Sequence, residues 1–315
     1  MKIVKVILPI DTDKTFDYYV PYGFEFEIFR GDIVQVDFKN KKYFGLVYEL
    51  SDSSEIKNLK PVEKKIYELV ISEKMFTFMN WISQYYFVSK GLVVKNFLPY
   101  QISYPRRYVC ISKEQRYTEL YYETLKRALP KSDIEKLTKR KFEDLLRENI
   151  VKEELFPYVE ENYFPKSLTD EQENAFLNLK NSFDKKNFET FLLFGQPATG
   201  KSEVYIKFLK YVFENSRKQI LVLLPEIGLV EQTYKIFSKL FGSIQIAKIH
   251  SELSKGEFNF LFEKIQSFEK RIIIGTRSAI FLPYKDIGAI VVDEEQDISF
   301  KQYDMAPFYN ARDCA

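Results

Sequence analysis

The chain has 315 residues and a formal net charge of +2, which limits the classes of protein to be considered. The length provides for two or three domains, each with its own hydrophobic core. The charge is too small to indicate nucleic-acid binding by itself, so such a function must depend on local patches. There is no apolar run of about eighteen residues and no signal-peptide core, so we expect a cytoplasmic protein without a membrane partner. Cys110 and Cys314 lie far apart and outside any CxxC pair, so we expect neither a disulfide framework nor a metal site from them.

Residues 1–105 carry short apolar or alternating runs that predict a small β-barrel. The predicted strands are residues 4–8, 16–20, 33–38 and 43–48, separated by turn signals rich in Pro, Gly, Lys and Asn. Helical spacing follows over residues 72–86, and residues 91–99 close the unit. Small barrels often bind single strands of nucleic acid through aromatic and basic side chains on one face. A barrel whose apolar residues only fill its core fits the pattern equally well.

Residues 106–165 are rich in Lys, Arg and Glu at helical spacing. Helices are predicted over residues 117–129 and 139–149, and a strand over residues 150–155. Helices followed by a short strand are the outline of a winged helix-turn-helix, a module that often binds duplex DNA. A charged, solvated helical linker is the alternative.

The sequence GQPATGKS fits G-x-x-x-x-G-K-[ST], a phosphate-binding loop, at every fixed position. The nucleotide-binding residues that it predicts are Gly195, Gln196, Pro197, Ala198, Thr199, Gly200, Lys201 and Ser202. Backbone N–H groups wrap the phosphates, Lys201 reaches the β- and γ-phosphates, and the Ser202 hydroxyl holds Mg²⁺. An apolar run at residues 191–194 predicts the preceding strand, and residues 203–213 have the spacing of the following helix. The alternative is a structural glycine turn.

From Leu168 onward, strand and helix patterns alternate and predict a parallel sheet. The further strands are residues 219–224, 244–249, 271–274 and 289–292. Asp293 and Glu294 follow the last strand, at the edge of the sheet where ligands bind. Asp293 is predicted to hold Mg²⁺ opposite Ser202, and Glu294 to orient the attacking water and take its proton. Acidic residues that cap a helix or face solvent are the alternative.

Two further strand ends carry small, polar or charged residues, LPEIGL at residues 224–229 and GTRSA at residues 275–279. Hydroxyls, backbone N–H groups and an arginine suit DNA phosphates better than bases. Thr276 and Arg277 are therefore candidate DNA-binding residues. An ordinary turn with a helix cap is the alternative at either place.

Together these motifs resemble the DEAD/DEAH-like helicase superfamily and, in detail, the PriA (primosomal protein N′) family of replication-restart helicases. The resemblance is strongest in GTRSAIFLP at residues 275–283 and IVVDEE at residues 290–295. TFDY at residues 15–18 and the tyrosines at 85–86 resemble the family's 3′-end DNA-binding domain. The implied fold is multidomain: a β-barrel 3′-end DNA-binding domain at 1–105, a winged-helix-like α domain at 106–165, and an α/β RecA-like helicase lobe 1 with P-loop and parallel sheet at 166–315.

The resemblance implies an ATP-dependent 3′–5′ DNA helicase that recognises stalled or abandoned forks and initiates primosome assembly. Its implied cofactors are ATP and Mg²⁺. Its implied partners are forked and single-stranded DNA, including a nascent-strand 3′ end, primosome proteins and single-stranded DNA-binding protein. By the same resemblance, Phe16, Asp17 and Tyr18 line the pocket for the 3′ end, and Gln172 faces the adenine.

Residues 296–309 correspond, by this resemblance, to an aromatic-rich loop that signals single-strand binding to the ATP site. Phe300, Lys301 and Tyr303 supply stacking faces and positive charge, which single-stranded DNA favours independently of the resemblance. Hydrophobic packing of the same aromatic residues is the alternative.

The chain departs from the family in two respects. Gln296, which joins Lys201, Asp293 and Glu294 as a candidate catalytic residue, stands where the family usually has histidine, so we expect no pH dependence from this position. The family continues with a second lobe, which carries the arginine finger, and with a zinc-binding region, so zinc is expected only there. Without these parts, we expect nucleotide and DNA binding with little turnover, from a fragment or a truncated gene product. The alternatives are a non-catalytic fork-binding module with an ATP-responsive lobe, or another superfamily 2 DNA translocase.

Overall fold

The computed structural model describes residues 2–23, 27–101, 106–154, 167–196 and 199–315, which form two compact units. The first unit comprises residues 1–102, 277–285 and 294–315, and the second comprises residues 103–276 and 286–293. Two segments from late in the sequence therefore pack with the N-terminal residues. The domain boundaries at residues 105 and 165 stay predictions, because both lie outside the described ranges.

A closed barrel forms the first part of the first unit. Its strands are β1 (Ile3–Ile7), β2 (Phe16–Tyr19), β3 (Ile33–Phe38), β4 (Lys41–Ser51) and β5 (Lys60–Tyr67), in the order β1-β2-β5-β3-β4. The β3–β4 hairpin turns at Lys39 and Asn40, which both have positive φ, as the tight turns that suit strand twist require. The interior is filled by Val4, Val6, Leu8, Tyr18, Ile28, Val34, Val36, Val47 and Val62. The sequence did not indicate β5, because its charged residues and Pro61 obscure the alternation.

Two helices follow the barrel, α1 (Glu73–Tyr85) and α2 (Lys90–Val94). The first begins at Ser72, whose hydroxyl accepts a hydrogen bond from the Met75 N–H at 3.4 Å. Gly91 permits α2 to approach the chain near Ile10, since a Cβ at Gly91 would lie 1.9 Å from the Ile10 carbonyl oxygen. The predicted helix over residues 72–86 is confirmed.

The late segments pack on these helices through aromatic rings. A 3₁₀ turn at Arg277–Phe281 places the Phe281 ring 6.3 Å from that of Phe78 and 5.2 Å from that of Phe97, between ring centroids. The Tyr309 ring lies 4.7 Å from Phe281 in an edge-to-face arrangement. Tyr309 and Phe281 are both nearly fully buried, so this cluster is part of the core of the first unit.

A small module begins the second unit. Its strands β6 (Tyr108–Cys110) and β7 (Val151–Glu153) pair antiparallel, with α3 (Thr118–Lys126), α4 (Lys131–Thr138) and α5 (Phe142–Arg147) between them in sequence. The helix predicted over residues 117–129 ends early because Leu129 pairs with Tyr108. The helix predicted over residues 139–149 is shorter because Lys139, in a left-handed conformation, ends α4 instead. The predicted strand is confirmed as β7, while residue 155 lies outside the described ranges.

A four-stranded parallel sheet forms the rest of the second unit, in the order β11-β8-β10-β9. The helices α6 (Asp170–Asp184) and α7 (Lys201–Asn215) precede β8 (Gln219–Leu223). There follow α8 (Ile227–Phe241), β9 (Ile246–Ile249), α9 (Lys255–Gln266), β10 (Ile272–Gly275) and β11 (Ile287–Val292). Both inner strands are buried along their whole length, as continuous apolar runs predict, so the parallel sheet is confirmed. No helix in the described parts of the chain is long and apolar enough to cross a membrane.

The strand predicted at residues 191–194 is wrong. These residues have no strand conformation, and Phe191, Leu192 and Phe194 are 44%, 76% and 91% exposed. Among the strands that the structure describes, β11 pairs on one side only, with β8. A strand forms only when its backbone pairs with a neighbouring strand, and residues 191–194 do not form a strand on the second side of β11.

Candidate nucleotide-binding site and DNA-binding surfaces

The predicted phosphate loop leads directly into α7. Gly200 precedes the helix with a φ of 78°, and a Cβ at this position would lie 2.5 Å from the Gln172 side-chain nitrogen. Because the first N–H groups of a helix have no partners within it, the start of α7 offers donors to an anion. Pro197 and Ala198 lie outside the described residues.

Lys201 folds back over the loop. Its Nζ donates hydrogen bonds to the carbonyl oxygens of Gly195 at 2.8 Å and Gln196 at 3.1 Å. The Thr199 hydroxyl also donates to Gln196, at 2.8 Å. These hydrogen bonds connect Thr199 and Lys201 with Gly195 and Gln196 at the start of the predicted loop.

Gln172 connects α6 with the loop. Its Oε1 accepts a hydrogen bond from the Thr169 N–H at 2.9 Å, which completes a capping box at the start of α6. Its Nε2 donates to the Thr199 carbonyl oxygen at 2.9 Å. Both ends of the Gln172 amide thus have partners in the protein. The contact of Gln172 with adenine stays a prediction.

Tyr205, in the second turn of α7, connects this helix to Asp293, one of the two predicted magnesium ligands. Its hydroxyl donates a hydrogen bond to Asp293 Oδ2 at 2.9 Å. Burial raises the pKa of this hydroxyl, and the charge of Asp293 adds to the effect. Tyr205 therefore joins α7, the helix that carries Ser202, to Asp293 at the end of β11. Sequence reasoning missed Tyr205, although its position three residues after Ser202 places the two on one helix face.

The donor set at this position fits Mg²⁺. The Asp293 N–H donates to the Leu223 carbonyl oxygen at 3.0 Å, which fixes the residue at the end of β11. Mg²⁺ is usually held by one or two protein ligands, with water and phosphate oxygens completing an octahedron. Ser202 and Asp293 supply one hydroxyl and one carboxylate. The described residues contain no cluster of three or more His, Cys, Asp or Glu that could form a metal cage.

Glu294 and Gln296, in the first unit, are brought into direct contact. Gln296 Nε2 donates a hydrogen bond to Glu294 Oε2 at 2.7 Å. Glu294 has a φ of 53°, unusual for a residue with a side chain, and its carbonyl oxygen accepts from the Asp297 N–H at 2.9 Å. Because the glutamine amide does not titrate, it orients the carboxylate at any pH.

The predicted DNA-contacting residues of the segment 296–309 differ in exposure. Phe300 is 1% exposed and Tyr303 is 65% exposed. The Phe300 ring therefore packs in the core and offers no free face, whereas Tyr303 does. Lys301 Nζ donates a hydrogen bond to the Phe308 carbonyl oxygen, which closes the segment into a loop.

Arg277 supports the same segment. Its guanidinium donates hydrogen bonds to the carbonyl oxygens of Ser299 at 3.0 Å and Lys301 at 3.1 Å. Since a guanidinium has five N–H donors, Arg277 retains further capacity for a phosphate. Thr276, in the second unit, donates its N–H to the Ile249 carbonyl oxygen at 3.0 Å.

In the barrel, the side chains of the three predicted pocket residues lie on opposite faces of β2. Tyr18 is buried, donates its hydroxyl to the Asp37 carbonyl oxygen at 3.1 Å, and lies in the barrel core with Phe16 packed against it. Asp17, between them on β2, lies on the opposite face and accepts a hydrogen bond from the Ser54 hydroxyl. Ser54 lines an open groove of about 520 Å³ together with Ile3, Tyr19, Asp52, Ser53 and residues 56–59. Asp17 is thus the one of the three whose side chain lies beside a groove.

Two family models match the sequence. The model described as the 3'DNA-binding domain (3'BD) matches residues 5–99, which span the barrel, α1 and α2. The model described as the Type III restriction enzyme, res subunit, matches residues 165–309, which span the phosphate loop and the parallel sheet.

Curated relatives match much or all of the chain. Replication restart protein PriA of Chlamydia muridarum (strain MoPn / Nigg) is 30% identical over 349 residues, covering 99% of this chain and 46% of the relative. The protein of that name from Rickettsia conorii (strain ATCC VR-613 / Malish 7) is 32% identical over 316 residues, covering 100% of this chain and 40% of the relative. That of Bacillus subtilis (strain 168) is 38% identical over 179 residues, covering 57% of this chain and 21% of the relative. This chain spans less than half the length of these relatives. In sequence, the chain is similar over its whole length to the N-terminal portion of replication restart protein PriA.

Proposed function

We propose that this chain is the DNA-binding and first ATP-binding portion of a replication-restart helicase. The whole protein is then an ATP-dependent 3′–5′ DNA helicase that recognises stalled or abandoned forks and initiates primosome assembly. The barrel with α1 and α2 is its 3′-end-binding domain, the module of residues 106–154 is winged-helix-like, and the parallel sheet is its RecA-like lobe. The matched relatives and family models support this assignment.

The observation that carries the proposal is the hydrogen bond between Tyr205 and Asp293. It connects the helix after the phosphate loop with the end of β11, where a nucleoside triphosphatase places its magnesium-binding carboxylate. A glycine turn without this function does not require an acidic residue at that place. The same bond joins α7, which carries Ser202, to Asp293, and the sequence predicts both residues as magnesium ligands.

The residues of the site have separate roles in nucleotide hydrolysis. When bound, ATP with Mg²⁺ would supply the phosphoanhydride bond whose hydrolysis drives movement along DNA. Lys201 and the N–H groups of α7 hold the phosphates, while Ser202 and Asp293 hold the metal. Glu294, oriented by Gln296, accepts the proton of the attacking water.

The DNA contacts are proposed for residues of both units. Asp17 recognises the 3′ end, Arg277 and Thr276 contact phosphates, and Tyr303 with Lys301 contacts a single strand. Primosome proteins and single-stranded DNA-binding protein are proposed as partners of the whole protein.

The nucleotide site is tested by measuring the binding of a fluorescent ATP analogue to the full chain. Lys201→Ala should weaken this binding at least tenfold, because it removes the ammonium that meets the phosphates. It should change the affinity for a 3′-hydroxyl oligonucleotide less than twofold. Lys210→Ala is a matched control, since Lys210 lies on the same helix and only forms an exposed ion pair with Glu214. Unchanged nucleotide binding in Lys201→Ala, or a large loss of DNA affinity in the folded variant, contradicts the proposal.

A further inference from the structure

Three aromatic residues form a stack at the end of α1. The Tyr85 ring lies nearly parallel to the Trp81 ring, with centroids 4.9 Å apart and an interplanar angle of 20°. Tyr86 meets the edge of Tyr85 at 4.9 Å and 78°. Tyr85 is nevertheless 57% exposed. The Tyr85 ring therefore packs on Trp81 with one face and is exposed to solvent on the other. We call Trp81, Tyr85 and Tyr86 the α1 stack.

The α1 stack is continuous with the segment 296–309. The Asn310 N–H donates a hydrogen bond to the Tyr86 hydroxyl at 3.0 Å. The Lys301 ammonium lies 5.2 Å from the centroid of the Tyr86 ring, a cation–π distance. The segment that follows Glu294 and Gln296 is thus attached to α1 at Tyr86, and all of these residues belong to the first unit.

Exposure distinguishes which aromatic rings at this surface are available to a ligand. Phe300 and Tyr309 are 1% and 3% exposed and serve as anchors. Tyr303 is 65% exposed and Phe308 is 46% exposed, so both remain accessible together with Tyr85. Lys301 connects the two sides, since its ammonium contacts both the Tyr86 ring and the Phe308 carbonyl.

We propose that Tyr85 is a DNA-contacting residue, and that a single strand bound at the segment 296–309 continues onto the α1 stack with a base on the open face of Tyr85. A flat exposed ring backed by a second ring, with an ammonium group close by, is what a base and its phosphate require. The inference rests on the proposed function, because it takes the segment as a single-strand site. It adds a contact from α1 of the 3′-end-binding domain, so that one strand touches both this domain and the segment after Gln296.

The test uses a fluorescein-labelled circular single-stranded oligonucleotide, which has no 3′ end and so does not engage the proposed pocket at Asp17. Fluorescence anisotropy with the full chain gives the affinity. Tyr85→Ala should bind the circle about tenfold more weakly, equal to about 1.4 kcal/mol, within the range for one stacked base. Tyr85→Phe should bind as the wild type does, because the ring is kept.

Phe87→Ala is the matched control, because Phe87 is 95% exposed and lies two residues from Tyr85. It should change the affinity less than twofold. Trp81, the single tryptophan of the chain, reports the location of binding, since its fluorescence should be quenched by the circle in the wild type and in Tyr85→Phe.

Three results overturn the inference: a wild type that does not bind the circle, a folded Tyr85→Ala that binds it unchanged, or a Phe87→Ala loss as large as that of Tyr85→Ala. Failure of the proposed function would be seen in a separate measurement, in which linear oligonucleotides that end in a 3′-hydroxyl are not bound more tightly than others. A Tyr85-dependent loss with the circle supports the inference whatever that preference is.

Discussion

At the scale of single residues, the Tyr205 hydroxyl is hydrogen-bonded to Asp293, the proposed metal ligand. Tyr205→Phe keeps the buried ring and removes only the O–H that donates to Asp293 at 2.9 Å. We expect Mg²⁺-dependent ATP affinity to fall about two- to tenfold, the equivalent of one hydrogen bond worth about 0.5–1.5 kcal/mol. Isothermal titration calorimetry with and without Mg²⁺ measures this change.

Tyr211→Phe is the control for this substitution. Tyr211 lies on the same helix, and its hydroxyl donates to Asp184 at 2.7 Å, on the surface of the second unit. Its loss should leave ATP affinity unchanged. Equal losses in the two variants, or a loss in Tyr205→Phe that persists without Mg²⁺, would show that Tyr205 does not position a metal ligand.

Tyr18 makes the barrel sensitive to alkaline pH. Burial, aided by the charge of Asp37, raises the pKa of its hydroxyl from 10.0 to about 12. Between these values the unfolded chain has lost this proton and the folded chain retains it, so stability is complete below pH 10 and falls as the pH rises toward 12. At pH 11 this contribution lowers the free energy of unfolding by roughly 1 kcal/mol. Urea unfolding of the wild type and of Tyr18→Phe at pH 9 and pH 11 measures it, and an equal loss of stability in both would refute the assignment to Tyr18.

At the scale of secondary-structure elements, a buried ion pair attaches the end of β7 to the sheet. The Lys270 ammonium contacts the Glu154 carboxylate, and both side chains are 2% exposed. Burial lowers the pKa of Lys270, and the charge of Glu154 opposes this shift. The Lys264 ammonium pairs with Glu153 at 3.3 Å beside it. The small module of residues 106–154 is thereby attached to Lys270, two residues before β10, and to Lys264 on α9.

Breaking this buried pair should be costly. Lys270→Met removes the cation and leaves the Glu154 carboxylate in a buried site, so we expect the free energy of unfolding to fall by about 3–5 kcal/mol. Replacing both residues by methionine should recover most of this loss. Lys218→Met, which breaks a half-exposed pair with Asp286, should cost at most about 1 kcal/mol. Urea denaturation gives all three values, and similar costs for Lys270→Met and Lys218→Met would contradict the structural role of the pair.

Elements whose signal is local could be predicted from the sequence. The inner strands depend on runs of apolar residues and are confirmed, while the phosphate loop, which depends on glycines at fixed spacing, stays a prediction. The strand at residues 191–194 failed because a strand also depends on its neighbour. The Tyr205–Asp293 contact joins residues 88 positions apart, and a distance of this kind is fixed by packing rather than by local pattern.

The aromatic residues show the same limit. Phe300 and Tyr303 are equivalent candidates in the sequence, yet one is 1% exposed and the other 65% exposed. The alternation of side chains along β2 places Phe16 and Tyr18 on one face and Asp17 on the other. It did not reveal that this shared face is the barrel core, because burial depends on the strands that close around it.

At the scale of the whole chain, the two candidate catalytic carboxylates belong to different compact units. Asp293 ends a segment of the second unit, and Glu294 begins a segment of the first. In the first unit, Glu294 is followed by the segment attached to Tyr86 of α1. The residues proposed to bind single-stranded DNA and the residue proposed to activate water therefore lie on one continuous segment.

The central claim, that this chain recognises a DNA 3′ end, is tested most directly by its affinity for oligonucleotides ending in a 3′-hydroxyl or a 3′-phosphate. Asp17 can accept a hydrogen bond from the hydroxyl and repels the phosphate, so the wild type should prefer the hydroxyl end. Asp17→Ala should lose this preference, with a loss of about 1–3 kcal/mol for the hydroxyl end. Glu49→Ala, which removes a carboxylate paired with Lys5 beside Asp17, should retain it. Equal binding of both ends by the wild type would contradict the account.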